Sequence, residues 1–261
     1  MSKICKKYLF LTFLIMIICW GACVICSVNN VNISNNYLLY VPYLLGGWSP
    51  TIASFIVITI DNKEKGAKKW LFDVFDFKQK ITSYIMVIVF SVLLVVPQFV
   101  IYGYTSNAPL FTIIFMVPLT LFMGGLEEAG WRYILQPELE KKFNFVISTI
   151  LVSIIWWLWH LPLFFIQETS QYGQNFFTFG IFTLGLSFAL ACIRKNTGSV
   201  WLCVLFHCLV NLLFGIYGFG WKLWGNVAAA LTLTVVSLVW VTISNKKKNA
   251  KSNPICRADN E

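Results

Sequence analysis

Few ionisable side chains lie within the long apolar runs of this 261-residue chain, and those few can move protons. Glu127 and Glu128 follow one apolar run, and the only two histidines, His160 and His207, lie inside two others. Asn211 follows His207 by four residues, so that the imidazole and the amide share one helical face. A carboxylate, two imidazoles and an amide are the groups needed to activate water and to stabilise an oxyanion. Because ionisable residues at membrane depth are costly, this set predicts a functional site.

The two adjacent glutamates are predicted to occupy different environments. Glu128 precedes Arg132 by four residues, which is the favourable order for an ion pair on one helical face. Glu127 projects about 100° away from that face and is therefore available as a general base. The alternative is that both carboxylates are interfacial charges at a helix end.

Trp156 precedes His160 by four residues and is expected to form an aromatic wall for the imidazole. For both histidines the alternative interpretation is a packed, hydrogen-bonded residue that joins two helices without any catalytic role.

The elements that must position these residues are membrane helices. Apolar residues make up 58% of the chain and charged residues only 12%, about half the usual charged share of soluble proteins. This composition excludes a soluble enzyme, a nucleic-acid-binding protein and a disordered scaffold. Spanning a bilayer takes about 20 apolar residues. We predict a single all-α polytopic membrane domain over residues 1–261, with eight spans at 8–28, 37–60, 81–104, 109–126, 143–166, 176–193, 199–217 and 221–243. The chemical core would then lie on the fourth, fifth and seventh helices.

The distribution of lysine and arginine predicts the orientation of the chain. If the N-terminus is cytoplasmic, the inner segments contain 19 of the 20 basic residues, and only Lys222 lies outside. Basic residues favour the cytoplasmic side, so both termini are predicted to be cytoplasmic. The loops at 29–36, 106–108 and 167–175 contain no lysine or arginine and are predicted to lie outside.

Three short motifs resemble those of the CPBP family of intramembrane proteases, also called the CAAX-protease and bacteriocin-processing, or Abi, family. They read E-E-A-G-W-R at 127–132, W-W-L-W-H at 156–160 and H-C-L-V-N at 207–211. The resemblance covers about residues 80–217, with Trp156 where the family usually has phenylalanine. It implies that Glu127 and His160 activate water, that His207 and Asn211 stabilise the oxyanion, and that Glu128 and Arg132 orient the site.

The resemblance implies that the protein is an intramembrane endopeptidase. We predict that it is a multi-pass protein of a bacterial cell membrane. Its partners would be lipids and a membrane-associated peptide or lipidated protein, with no nucleic acid. Some members are called metalloproteases, but two histidines accompanied by an amide favour a metal-free glutamate mechanism without a cofactor. Alternatives are a non-proteolytic bacteriocin-immunity or scaffold protein and, less favoured because no internal repeat is evident, a proton-coupled transporter.

The spacing of the motifs also predicts their depth. His160 can reach Glu127 and His207 only if the fourth and fifth helices extend past the membrane as a cytoplasmic hairpin. Pro137 would bend or end the first arm of this hairpin, and Lys141 and Lys142 would lie at its turn. The site is therefore predicted in the cytoplasmic leaflet, open to cytoplasmic water.

Overall fold

The computed structural model describes residues 2–61, 66–104, 106, 108–109, 111–219 and 222–252, and this part of the chain is helical without any strand. The α-helices are α1 Lys3–Val28, α2 Tyr40–Gly47, α3 Ser49–Asp61, α4 Gly66–Val74, α5 Ile81–Tyr102, α6 Thr112–Phe122, α7 Glu128–Gly130, α8 Gln136–Glu140, α9 Phe145–Trp159, α10 Phe176–Thr197, α11 Val200–Tyr217 and α12 Leu223–Ser252. Three 3-10 helices, at Tyr37–Leu39, Gly125–Glu127 and Leu161–Phe165, and a π-helix at Trp131–Leu135 complete the helical segments.

Six helical segments are long and apolar enough to cross a membrane, and α2 with α3 forms a seventh candidate bent by 54°. The fourth of the eight predicted spans, residues 109–126, is not among the candidate spans of the described residues. Its helix, α6, has 11 residues, which is about 16 Å of helix against a hydrocarbon core of about 30 Å. The described part of the chain is therefore that of an all-helical, multi-pass membrane protein with six or seven candidate spans, and the predicted count of eight is not confirmed.

Local sequence signals set the ends of the helices that carry the candidate residues. The side chains of Asn144 and Ser199 accept backbone N–H groups at the starts of α9 and α11. Helix α9 ends at Trp159 because Pro162 has no N–H to offer the carbonyl of Leu158. Gly218 takes a left-handed conformation that ends α11, as glycine does readily.

Helix α10 lies at the centre of the bundle and is the most buried of the six candidate spans. It packs against α9, α11 and α12. At its midpoint Gly185 meets α12 so closely that a Cβ atom would lie 2.3 Å from the Cα of Ala230. Glycine is therefore required for these two backbones to approach each other.

The predicted hairpin is present, but its first arm does not end at Pro137. Residues 125–140 form a nearly continuous helical segment, the turn lies at 141–144, and α9 returns from it. The π-helix at Trp131–Leu135 immediately precedes Pro137. Proline cannot donate to the carbonyl of Tyr133, and a wider π turn accommodates such a lost bond without ending the helix. How far this hairpin extends beyond the membrane stays a prediction.

Contacts between loops show which segments lie at the same end of the helical bundle. The backbone N–H and the hydroxyl of Ser34 donate to the carboxylate of Glu168, at 2.9 and 2.5 Å. This contact joins two of the loops predicted to lie outside. At the other end, the ammonium of Lys195 lies 3.7 Å from the carboxylate of Glu140, next to the hairpin turn. The loops 29–36 and 167–175 thus lie together, at the end of the bundle opposite the basic hairpin.

Candidate active site

The sequence predicts that the first motif continues the fourth helix. In the structure the motif lies on a separate segment. Helix α6 ends at Phe122, and a turn precedes the 3-10 helix Gly125–Glu127. The backbone of Gly124 lies so close to α11 that a Cβ atom would be 2.2 Å from Nδ2 of Asn211. A residue without a side chain therefore allows the two glutamates to begin a separate segment directly beside the third motif.

Glu128 is the centre of a buried polar network. Its Oε2 lies 3.4 Å from Nε of Arg132, with both side chains fully buried, so the two residues form the ion pair expected from their spacing. Its Oε1 accepts a 2.9 Å hydrogen bond from Nδ1 of His207. Arg132 Nη2 donates to the hydroxyl of Ser187 at 3.0 Å, and the guanidinium lies over the ring of Trp156.

Two of these partners were not predicted from the sequence. Ser187 is a single hydroxyl in the apolar run of α10, which a sequence does not distinguish from a residue bonded within its own helix. The contact between His207 and Glu128 joins residues 79 positions apart. Only the packing of α11 against the segment 125–140 creates it.

Glu127 is almost completely buried, and its Oε2 accepts a 2.8 Å hydrogen bond from the indole Nε1 of Trp156. The sequence indicated Trp156 only as an aromatic wall. Phenylalanine, the usual residue at this position in the CPBP family that the motifs resemble, has no side-chain N–H to donate. The departure noted in the second motif therefore adds a hydrogen bond that orients the carboxylate of Glu127.

His160 is the residue at which α9 ends, and its orientation is set by its own helix. Its Nδ1 lies 2.8 Å from the carbonyl oxygen of Trp156. Because a carbonyl can only accept, Nδ1 carries the proton and the neutral ring keeps a lone pair on Nε2. The rings of Trp159 and Phe179 pack against the imidazole at 4.7 and 4.8 Å between ring centroids. His160 is thus held as an acceptor.

His207 and Asn211 lie one turn apart on α11, as predicted. The carboxylate of Glu128 accepts from Nδ1 of His207, which leaves Nε2 as the second functional atom of the ring. Asn211 is the exposed member of the set, whereas His207 is 4% exposed. The pair therefore offers one held imidazole and one accessible amide.

A single cavity of about 470 Å³ brings the predicted residues together. It is lined by Glu127, Trp156, His160, His207 and Asn211. Its remaining walls are largely aromatic and apolar. Glu128 and Arg132 do not line it and support the site from behind. The cavity also reaches residues of the loop 167–175, at the end of the bundle opposite the hairpin. The charge distribution predicts this loop on the outer side, whereas the spacing of the motifs predicts a site open to cytoplasmic water, so the side to which the cavity opens stays a prediction.

The cavity contains side chains of the kinds that bind metal ions. The carboxylate of Glu127 and the two imidazoles line the same cavity. Across the described residues, however, no three His, Cys, Asp or Glu side chains are grouped so that they could hold a metal ion. Catalytic zinc normally has three protein ligands. The metal-free reaction stays a prediction.

Comparison with known proteins bears on the same residues. Residues 109–213 match the family model described as type II CAAX prenyl endopeptidase Rce1-like. The chain is also similar to a CAAX prenyl protease 2 of Methanococcus maripaludis, with 28% identity over 231 residues that cover 79% of this chain and 82% of the relative. These two similarities support the resemblance of the three motifs to the CPBP family. All three motifs lie within the matched residues, so the similarity includes the five lining residues predicted from the motifs. Homology to a CAAX prenyl protease indicates a protease.

Proposed function

We propose that this protein is an intramembrane endopeptidase that hydrolyses a peptide bond in a membrane-associated protein or peptide precursor. The observation that carries the proposal is the convergence of Glu127, His160, His207 and Asn211 on one cavity, although they come from three separate segments. The similarity to a CAAX prenyl protease supports the same reaction class. A membrane-associated substrate, with the protein in a bacterial cell membrane, belongs to this proposal.

In the proposed reaction Glu127 takes a proton from a water molecule, and the resulting hydroxide attacks the peptide carbonyl carbon. Trp156 holds the carboxylate through its Oε2, which leaves Oε1 to accept the proton. The lone pair on Nε2 of His160 accepts the second hydrogen of the same water and orients it. Positioning and proton transfer of this kind lower the barrier because the groups are already aligned.

The attack places a negative charge on the former carbonyl oxygen. Nε2–H of a protonated His207 and the amide N–H of Asn211 would donate to that oxygen. Glu128 stabilises the positive charge of such an imidazolium, because its carboxylate accepts from Nδ1 on the other side of the ring. Glu127 then gives its proton to the departing amine, the C–N bond breaks, and a carboxylic acid and an amine result.

The direct test is hydrolysis by the purified protein in lipid nanodiscs. A set of apolar reporter peptides is incubated with the protein, and the products are identified by mass spectrometry. We expect one new carboxyl terminus and one new amine for each cleavage. A purified, folded protein that cleaves no peptide in the set, and that binds one without cleaving it, would contradict the proposal and favour the non-proteolytic alternative.

Replacing Trp156 with phenylalanine should reduce kcat without much change in KM. The ring is kept, but Glu127 loses a donor to a charged group, an interaction of about 1.5–3 kcal/mol, which corresponds to at least about tenfold in rate. The matched control is Trp157→Phe, since that indole N–H donates to the carbonyl of Phe176, away from Glu127. Equal effects of the two substitutions on kcat would show that Trp156 acts only through packing.

Chelators should leave the activity intact, because we propose a metal-free reaction. The experiment is hydrolysis before and after dialysis against a strong chelator, with the metal content of the same sample measured by elemental analysis. Activity that is lost to the chelator and restored by zinc would assign a metalloprotease mechanism instead.

A further inference from the structure

Arg194 lies near the end of α10, outside the three motifs, and its guanidinium contacts two backbone carbonyl groups. Its Nε donates to the carbonyl oxygen of Arg132 at 3.1 Å, and its Nη1 donates to the carbonyl oxygen of Gly198. Arg132 belongs to the segment 125–140, whereas Gly198 lies just before α11 begins at Val200. Arg194 therefore bridges the segment that carries the two glutamates and the helix that carries the third motif.

The carbonyl of Arg132 is available to this bridge because of the π turn and the proline that follows it. The N–H of Gln136 donates to the carbonyl of Trp131, five residues earlier, as in a π-helix. In the same register the next N–H would serve the carbonyl of Arg132, but Pro137 has none. Arg132 is fully buried, and a buried carbonyl without a donor is costly. Arg194 supplies the donor that the helix lacks.

A second residue of α10 holds the side chain of Arg132. Ser187 precedes Arg194 by seven residues, about two helical turns, and so lies on the same face of α10. Its hydroxyl accepts from Nη2 of Arg132 at 3.0 Å and donates to the carbonyl of Thr149 at 3.4 Å. Helix α10 thus holds Arg132 through both its side chain and its backbone.

The bridge fixes the spacing of the two segments on which the proposed oxyanion donor depends. Oε1 of Glu128 lies 2.9 Å from Nδ1 of His207, although the two residues are 79 positions apart in the chain. A hydrogen bond weakens when its partners move apart or turn, so this contact requires α11 to stay in place against the segment 125–140. A misplacement of about 1 Å in an active site can cost about 10²-fold in rate.

A positive charge at this position also has simpler explanations. A basic residue in the last turn of a helix interacts favourably with the terminal carbonyls, and basic residues are retained on the cytoplasmic side. Lys195 has the same charge in the same turn, but its ammonium lies 3.7 Å from the carboxylate of Glu140. The two directed contacts to carbonyls distinguish Arg194 from this neighbour. Lysine has a single ammonium on a flexible stem and cannot reproduce the planar donor arrangement of arginine.

We propose that Arg194 is a positioning residue of the active site, which holds α11 against the segment 125–140 so that Glu128 keeps its hydrogen bond to His207. This proposal rests on the proposed endopeptidase function and adds to it a residue outside the three motifs. Arg194 is not among the described residues that line the cavity, so it acts on the reaction only through the placement of other side chains.

Replacing Arg194 with lysine keeps the positive charge but removes the bridge between the two carbonyls. We expect kcat to fall at least about tenfold because the oxyanion donor is misplaced, while KM changes less than about twofold. The matched control is Lys195→Arg, a basic exchange at the next residue, which should leave both constants unchanged. Unchanged constants for Arg194→Lys, or a higher KM at an unchanged kcat, would overturn the proposal.

A spectroscopic measurement tests the positioning without any need for catalysis. His160 and His207 are the only histidines of the chain, so ¹⁵N-histidine labelling, with a purification tag free of histidine, reports two imidazoles. Solid-state NMR in lipid follows the Nδ1 proton of His207, which the carboxylate of Glu128 shifts downfield, and the variant His160→Gln assigns the signals. We expect Arg194→Lys to move this resonance upfield or to lose it to exchange, with the His160 resonance in place. An unchanged His207 resonance would overturn the proposal.

A cycle with Pro137→Ala separates positioning from the repair of a helix. This substitution returns an N–H to residue 137, so the carbonyl of Arg132 gains a donor from its own helix, but the bridge to Gly198 is not restored. We expect Arg194→Lys to lower kcat by the same factor with or without Pro137→Ala. Disappearance of the effect in the Pro137→Ala background would show that Arg194 only satisfies the carbonyl.

The remaining outcomes are also decisive. If Arg194→Lys alone does not fold, the kinetics and the spectrum are compared between Pro137→Ala and the double variant. If the double variant does not fold either, Arg194 is needed for the fold itself and the positioning role is overturned. If the His207 resonance responds as expected but the unsubstituted protein cleaves no peptide, the endopeptidase function fails while the placement of His207 by Arg194 stands.

Discussion

Replacing Glu127 with glutamine should lower kcat by about 10²–10⁴-fold, the usual contribution of a general base. Glutamine has nearly the same shape, and its carbonyl oxygen can still accept from Nε1 of Trp156. The substitution therefore removes the basic carboxylate while the 2.8 Å hydrogen bond that orients the side chain is kept. The measurement is the rate of peptide hydrolysis by the purified variant in lipid nanodiscs.

The control for this experiment is Glu138→Gln. Glu138 lies on the same helical segment but pairs with Lys141 near the hairpin turn, away from the cavity. We expect this variant to hydrolyse the peptide at the rate of the unsubstituted protein. Full activity of Glu127→Gln would mean that another group activates the water, and the proposed mechanism would then be abandoned.

Replacing Arg132 with alanine should destabilise the protein strongly as well as inactivate it. Arg132 and Glu128 are both fully buried, and removal of the guanidinium leaves the carboxylate without its charged partner. Breaking a buried ion pair in this way costs about 3–5 kcal/mol. We expect lower abundance in the membrane and a lower midpoint of thermal unfolding.

Two further variants separate charge from packing. Lys141→Ala breaks an ion pair at the exposed hairpin turn, and such pairs contribute at most about 1 kcal/mol. Adding Glu128→Gln to Arg132→Ala removes the unpaired charge, so it should restore part of the abundance. It should not restore activity, because His207 then loses its anionic partner. Normal abundance and activity of Arg132→Ala would show that the buried pair has little effect.

The polar set of the site was visible in the sequence because a membrane protein has few reasons to keep ionisable groups in apolar runs. His160 and His207 were identified in this way, Asn211 followed from its position one turn after His207, and the ion pair of Glu128 with Arg132 followed from their spacing on one helix. Such pairs are local, and local geometry depends on the helical repeat alone. Their catalytic roles stay predictions until variants are assayed.

The all-helical, multi-pass fold was also predictable, because apolar runs of this length can satisfy their backbone only as helices in a bilayer. The break within the predicted span at 109–126 was not. The run at 109–126 is apolar throughout, but its helix ends at Phe122 where the backbone of Gly124 packs against Asn211. Hydropathy measures affinity for lipid, and it does not report a turn that another helix imposes.

What the sequence determined by itself was which residues could do chemistry, and which segments carry the charges that orient the chain. The tertiary structure decided which atoms of those residues meet. In the structure Trp156 donates a hydrogen bond to Glu127, and His207 donates one to Glu128. The buried Glu128 and Arg132 lie behind the cavity, on the side of the hairpin. The physical reason is that a helix fixes the directions of its own side chains, whereas distances between helices depend on how closely the backbones pack.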